Sequence, residues 1–204
     1  MKIEVFGDEN SWNELTAINA GVTWIRAAGA GSLFEHNDTA AFFNLSSDAA
    51  LQDYSKTHKP VFINSVSATL KEIKAPGNVV RINGWSGFLA RPVWEIAGSL
   101  STAHDAILAA LQKKSFDTPD EPGFVSARII SMIINEAYFA MEENISTENE
   151  IDIAMKLGTN YPYGPFEWSR RIGVKNIYAL LVSLYKNDIR YKPSSLLQQK
   201  ATNP

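Results

Sequence analysis

The chain of 204 residues contains no cysteine, which excludes a disulfide scaffold, a thiol nucleophile and thiolate metal ligands. It also has no excess of positive charge, because 19 Lys and Arg residues stand against 22 Asp and Glu residues, for a formal net charge of −3. Such a chain offers no broad basic surface to a phosphate backbone, and we expect no nucleic-acid partner. The absence of cysteine fits a reducing compartment, so we expect a cytoplasmic protein.

Long apolar runs are also scarce. Glu4 interrupts the apolar run at the N-terminus, which is wrong for a signal peptide and too short to span a bilayer. The apolar stretch 124–141 contains Arg128, Asn135 and Glu136, and this pattern predicts a buried or interfacial helix. We therefore expect no membrane association.

The first half of the chain carries short β-type runs that alternate with helical candidates. This alternation is typical of a mostly parallel sheet with right-handed crossovers. The predicted strands are Ile3–Phe6, Val22–Ala27, Ala41–Leu45, Val61–Ser65, Val79–Asn83 and Pro92–Ile96. The predicted helices are Ser11–Ile18, Asp48–Thr57, Thr69–Lys74 and Thr102–Lys114.

The second half shows no strong strand pattern. Thr147-Glu-Asn-Glu150 is a capping box that predicts a helix ending near Gly158, a residue suited to a left-handed cap. We place the domain boundary at the acidic, proline-containing link 117–122. The chain is thus expected to be α/β plus all-α, with a small α/β domain over residues 1–116 and a helical domain over residues 117–204.

Four motifs of the helical half point to one family. They read Pro122-Gly-Phe-Val-Ser-Ala-Arg128, Glu150-Ile-Asp-Ile-Ala-Met-Lys-Leu-Gly158, Tyr161-Pro-Tyr-Gly-Pro-Phe-Glu167 and Arg190-Tyr-Lys-Pro-Ser-Ser-Leu-Leu197. In their order and spacing they resemble the C-terminal domain of 3-hydroxyacyl-CoA dehydrogenases. The resemblance implies a truncated, Rossmann-like, mostly parallel sheet domain followed by that helical domain, and a homodimer formed through the helical domain.

The family's cofactor motif is a strand followed by three glycines, of which this chain keeps only Gly7. The resemblance places Glu9 and Trp12 at the other two positions, where an anion and a bulky ring oppose a bound pyrophosphate. Arg26 replaces the acidic residue after the second strand, and arginine in such a place can accommodate a 2′-phosphate. We expect no cofactor, or NAD or NADP contacting Gly7 and Arg26 if the chain is active.

The family's oxidation uses a histidine base that a glutamate orients. The resemblance places Ser86 at the histidine position, and a serine hydroxyl cannot replace an imidazole base. The glutamate is kept as Glu95, whereas Ala127 stands where the family has an asparagine that contacts the substrate. The family's substrate-binding serine falls near Val66. The candidates for ligand contact are Ser65, Ser67, Ser86 and Arg128.

The three histidines, His36, His58 and His104, lack the spacing of metal ligands, and we predict no metal site. His104, near the domain boundary, is the one candidate for a relocated base.

Three functions remain open. The first is a degenerate homologue without NAD-dependent hydride transfer, which binds an acyl-CoA-like ligand between its domains. The second is an active 3-hydroxyacyl-CoA (3-hydroxybutyryl-CoA) dehydrogenase with non-standard site residues, which uses a relocated base or takes its cofactor site from a partner chain. The third is a non-catalytic dimerisation or interaction module. An apolar stripe in the helical half is equally typical of a dimer interface and of a packed core; it comprises Ile129, Ile130, Ile133, Ile134, Ala137 and Met141.

Overall fold

The computed structural model describes residues 1–18, 21–47 and 49–203. They form two compact units, Met1–Phe124 and Val125–Pro204. The fold class predicted from the sequence is confirmed, because the first unit is built on a mostly parallel sheet and the second is helical.

The first unit contains a seven-stranded sheet in the order β2-β1-β3-β4-β5-β6-β7. Neighbouring strands are parallel except for β5 and β6, which are antiparallel. The strands are β1 Lys2–Phe6, β2 Thr23–Arg26, β3 Ala41–Asn44, β4 Val61–Asn64, β5 Val79–Ile82, β6 Val93–Ala97 and β7 Lys114–Asp117. β7 was not predicted, and it pairs with β6 across the predicted boundary at residue 116.

Two helices, α1 (Glu9–Thr16) and α2 (Thr102–Ala110), cover one face of the sheet. Leu15 of α1 and Leu108 of α2 belong to the apolar cluster of this face. The opposite face is covered by loops and short 3-10 turns, whose apolar side chains include Leu33, Ala49 and Tyr54.

Three predicted helices are wrong in whole or in part. Residue 48 lies outside the described residues, and the rest of 48–57 forms a 3-10 turn at Ala49–Leu51 followed by bends and turns. The segment 69–74 forms turns that end at Lys74, which has a positive φ of 52°. α2 stops at Ala110, because the chain reverses at Gln112 (φ 54°) to begin β7.

The second unit holds the remaining helices. They are α3 Phe124–Glu142, whose first residue belongs to the first unit, α4 Glu148–Thr159, α5 Pro165–Ile172, α6 Val174–Tyr185 and α7 Ser195–Thr202. The predicted capping box is confirmed, since the Thr147 side chain accepts from the Glu150 amide. The left-handed cap of α4 is Asn160 (φ 55°), not Gly158, which lies inside the helix.

The glycine and proline of the 161–167 motif set the start of α5. Asp152 of α4 accepts hydrogen bonds from the amides of Phe166 (2.7 Å) and Glu167 (3.2 Å). A Cβ atom at Gly164 would collide with Asp152, so only glycine permits this approach. Pro165 occupies the first helical turn, where its missing N–H costs nothing.

α3 is long enough and apolar enough to cross a membrane by length and composition alone, a test that core helices of soluble proteins also pass. Its apolar stripe is divided between two environments. Ile134 and Ala137 are buried, whereas Ile129 is 55% exposed. Part of the stripe therefore serves the core, and part faces outward.

Candidate functional site

The carboxyl ends of the parallel strands gather most of the predicted site residues. Gly7 directly follows β1, Arg26 ends β2, Ser65 and Ser67 follow β4, and Ser86 lies in the turn after β5. Ligands of open α/β sheets bind outside this edge, where the strand order reverses. In this sheet the order reverses at β1, which lies between β2 and β3.

Glu9, Trp12 and Arg26 form a contact cluster at the carboxyl ends of β1 and β2. Arg26 Nη1 lies 2.7 Å from Glu9 Oε2, and the guanidinium carbon lies 5.2 Å from the centroid of the Trp12 ring. Both charged side chains are partly exposed, so the pair itself contributes little stability. Arg26 thus contacts both Glu9 and Trp12, the residues that the resemblance places at the second and third glycine positions of the family's motif.

The N-terminus of α1 is already capped by a carboxylate. Asp8 Oδ1 accepts a hydrogen bond of 2.7 Å from the Ser11 amide. Gly7 is kept for close packing, because a Cβ atom there would lie 3.0 Å from the Leu45 Cβ. The helix end that binds pyrophosphate in nucleotide-binding domains here carries Asp8 and Glu9.

The loop that carries Ser86 is held on one side by Glu14 of α1. Glu14 Oε2 accepts from the Gly87 amide (2.8 Å) and Glu14 Oε1 accepts from the Ala90 amide (2.9 Å). No contact of this kind was predicted for Glu14 from the sequence. The carboxylate fixes two backbone groups that would otherwise allow the turn to move.

Lys113 holds the other side of the same loop. Its Nζ donates to the carbonyl oxygens of Leu89 (3.0 Å) and Arg91 (2.8 Å). Burial lowers the pKa of Lys113 from its ordinary value, and the nearby carboxylate of Glu14 opposes that change. Two opposite charges thus hold the loop against the sheet.

Glu95 is half-buried in β6. Ile96 pairs with Ile82 in the antiparallel β5–β6 ladder, so Glu95 lies level with Asn83, where the Ser86 loop begins. In the second unit, Ala127 is fully buried in α3 and Arg128 is half-buried.

A buried arginine that the sequence analysis did not identify organises the serine segment. Arg81 of β5 is fully buried, and its Nη1 donates to the carbonyl oxygens of Ser65 (2.7 Å) and Ala68 (2.9 Å). The Ser65 hydroxyl donates to the same Ala68 oxygen (2.8 Å), so it is already used within its own turn. The signal in the sequence is a single arginine inside an apolar strand, at Val79-Val-Arg-Ile82.

Asp120 supplies the counter-charge to Arg81 from the link before α3. Arg81 Nε lies 2.8 Å from Asp120 Oδ1, although its N–H does not point along a hydrogen-bond line. Burial lowers the pKa of Arg81, and Asp120 opposes this shift. Phe124, in the Pro-Gly-Phe motif, lies under the guanidinium at 4.9 Å, and the amide of Gly123 (φ 98°) donates to the Val66 carbonyl oxygen.

His104 is buried, and both of its ring nitrogens have partners. Nδ1 lies 2.8 Å from the Ser101 hydroxyl, and Nε2 lies 3.1 Å from the Asn78 carbonyl oxygen. Burial lowers the pKa of His104. The first contact belongs to the cap of α2 and the second ties the ring to the residue before β5, which leaves no ring nitrogen for a substrate proton. Across residues 1–18, 21–47 and 49–203, no group of three or more His, Asp or Glu side chains is arranged to hold a metal ion.

Comparisons with known proteins agree with the motifs. Residues 123–204 match the family model of the 3-hydroxyacyl-CoA dehydrogenase C-terminal domain. A 3-hydroxyadipyl-CoA dehydrogenase from Escherichia coli is 45% identical over 84 residues, which are 40% of this chain and 18% of that protein. A probable 3-hydroxybutyryl-CoA dehydrogenase from Bacillus subtilis is 28% identical over 70% of this chain and 54% of its own length. The chain therefore covers about half or less of these relatives.

The fold comparison extends over both units. The (S)-3-hydroxybutyryl-CoA dehydrogenase PaaH1 from Ralstonia eutropha superposes with a TM-score of 0.70, at 19% identity, over 97% of this chain and 92% of that chain. At this level of identity the match shows the fold alone. Residues 123–204 thus match the 3-hydroxyacyl-CoA dehydrogenase C-terminal domain, and over both units the chain is similar to 3-hydroxyacyl-CoA dehydrogenases in fold.

Proposed function

We propose that the chain is a degenerate homologue that binds an acyl-CoA-like ligand at the carboxyl edge of its sheet and does not carry out nicotinamide-dependent hydride transfer. The contact between Glu9 and Arg26 carries this proposal, because it lies where the family's motif would receive the cofactor. A pyrophosphate placed there would meet the carboxylates of Asp8 and Glu9 at the N-terminus of α1, and like charges repel. The residues present do not fit NAD.

The absence of a base supports the same conclusion. Ser86 occupies the histidine position, and its hydroxyl does not accept a proton near neutral pH. Glu95 would therefore have no histidine to orient at that position. His104, the candidate for a relocated base in an active dehydrogenase, uses both ring nitrogens in the fold.

A spectrophotometric assay tests the proposal. Purified protein with acetoacetyl-CoA and either NADH or NADPH is expected to show no nicotinamide oxidation above a protein-free control. Turnover that is lost in Glu95→Gln but kept in Glu35→Gln, a control at an exposed glutamate, would overturn the proposal. A thermal-shift panel with acyl-CoAs tests the binding part, since a ligand that binds the native state raises its stability.

Self-association through the second unit is a further proposal, because that unit exposes large apolar side chains. Ile129 of α3 is 55% exposed, and Leu157 of α4 is 83% exposed. Exposed apolar surface of this kind is typical of docking faces. We expect a homodimer in sedimentation experiments, and Ile129→Asp with Leu157→Asp to shift it toward monomer; a monomeric wild-type protein would contradict this.

A further inference from the structure

Two polar side chains at the carboxyl edge of β4 and β5 have hydrogen-bonding groups that the protein does not use. Within residues 1–18, 21–47 and 49–203, the Asn64 amide nitrogen and the Ser86 hydroxyl have no hydrogen-bond partner, and both residues are half-buried. Half-buried donors without a protein partner are available to a ligand.

The orientation of Asn64 follows from its contact with Gly84. Asn64 Oδ1 lies 3.1 Å from the Gly84 amide nitrogen, and only the oxygen of the carboxamide can accept that N–H. The Nδ2 group is therefore a free donor. A Cβ atom at residue 84 would lie 2.8 Å from the Asn64 Cβ, so glycine at this position permits the contact.

The loop 84–91, which carries Ser86, is pre-organised by hydrogen bonds to the rest of the unit. The Gly84 amide donates to Asn64, and the Gly87 amide three residues further on donates to Glu14. Lys113 holds the end of the same loop. A donor held on a rigid loop loses little entropy when a ligand binds.

We infer that Asn64 and Ser86 provide neutral donors to the thioester carbonyl oxygen of an acyl-CoA-like ligand. Recognition of a phosphate or carboxylate favours the charged donors of arginine and lysine, whereas an amide and a hydroxyl suit an uncharged acceptor. The inference rests on the proposed function and assigns to Ser86 a binding role where the family has a base.

A pair of matched ligands tests this inference by isothermal titration calorimetry. Butyryl-CoA and S-butyl-CoA differ in one respect, because the thioether lacks the thioester carbonyl. We expect the wild-type protein to bind butyryl-CoA more tightly. Asn64→Asp keeps an oxygen for the Gly84 amide but replaces the free donor with an anionic oxygen, so it should weaken butyryl-CoA binding at least about tenfold. Ser86→Ala should weaken it roughly two- to twelvefold.

S-butyl-CoA and a control variant separate recognition from damage to the fold. A structural defect would weaken the binding of both ligands alike. The inference instead predicts that Asn64→Asp and Ser86→Ala bind S-butyl-CoA as tightly as the wild-type protein does. Ser115→Ala, at an exposed position of β7, should change neither ligand's affinity. Equal wild-type affinities for the two ligands, unaffected by either substitution, would overturn the inference and leave the proposed function standing. No binding of either ligand would overturn both, and nicotinamide turnover with Asn64-dependent binding would overturn the proposed function alone.

Discussion

The buried ion pair between Arg81 and Asp120 leads to the sharpest prediction on stability. Arg81 is fully buried, whereas the Asp120 side chain is 28% exposed. Asp120 also accepts hydrogen bonds from the amides of Leu70 (3.0 Å) and Lys71 (3.1 Å). Asp120→Ala would therefore leave a buried guanidinium without its counter-charge and two amides without their acceptor.

The magnitude follows from known losses of this kind. Removing one partner of a fully buried pair costs about 3–5 kcal/mol of unfolding free energy. Partial exposure of Asp120 reduces this figure, and we expect Asp120→Ala to lose roughly 2–3 kcal/mol. Asp120→Asn keeps one acceptor oxygen and should lose less, about 1–2 kcal/mol.

Urea unfolding followed by tryptophan fluorescence measures the effect. Most of the tryptophans report on the first unit, namely Trp12, Trp24, Trp85 and Trp94. With an m-value of about 2 kcal/mol per molar urea, the midpoint of Asp120→Ala should fall by about 1–1.5 M. Asp117→Ala, at an exposed position in β7, should stay within about 0.5 kcal/mol of the wild-type protein. If Asp120→Ala matched that control, the role assigned to the ion pair would be wrong.

Two other predictions concern His104 and the glycines of the second unit. Burial lowers the pKa of His104 below its ordinary value of 6.5, so the folded state binds this proton less readily than the unfolded state. Stability should be full above about pH 6.5 and fall as the pH drops through the lowered pKa. Urea unfolding from neutral to mildly acidic pH should show a smaller loss of unfolding free energy in His104→Gln than in the wild-type protein, whereas His58→Gln should lose as much as the wild type. An equal dependence of the unfolding free energy on pH in all three proteins would refute this. Gly164→Ala should destabilise the second unit by about 1–3 kcal/mol in thermal unfolding, because its Cβ collides with Asp152. Gly158→Ala, inside α4 and in open space, should instead stabilise it by about 0.5–1 kcal/mol, and similar losses in both variants would contradict the packing explanation.

Much of the sheet could be predicted, because each of the six predicted strands is an apolar run between turn residues, and each is present. β7 could not be predicted from its own residues. Its sequence, Lys114-Ser-Phe-Asp117, is mostly polar and exposed, and it becomes a strand by pairing with β6. The predicted helix 102–114 is too long because the chain turns at Gln112, whose φ is positive.

The resemblance to the family's motif singled out Glu9, Trp12 and Arg26, and their roles stay predictions. The contacts of Arg26 with Glu9 and Trp12 could not be predicted, because β1 and β2 bring these residues together only in three dimensions. Glu14 and Arg81 belong to no motif, and their importance arises from the backbone groups that surround them.

A titration of NADH into the protein, followed by the fluorescence of the nicotinamide, tests the central claim most directly. Our account predicts no saturable binding up to about 1 mM, near the upper end of usual KM values, either alone or with acetoacetyl-CoA present. It also predicts that acetoacetyl-CoA on its own raises the unfolding temperature. Saturable NADH binding at micromolar concentration, weakened by Arg26→Ala, would contradict the account, because the cluster of Glu9, Trp12 and Arg26 would then receive the cofactor instead of replacing it.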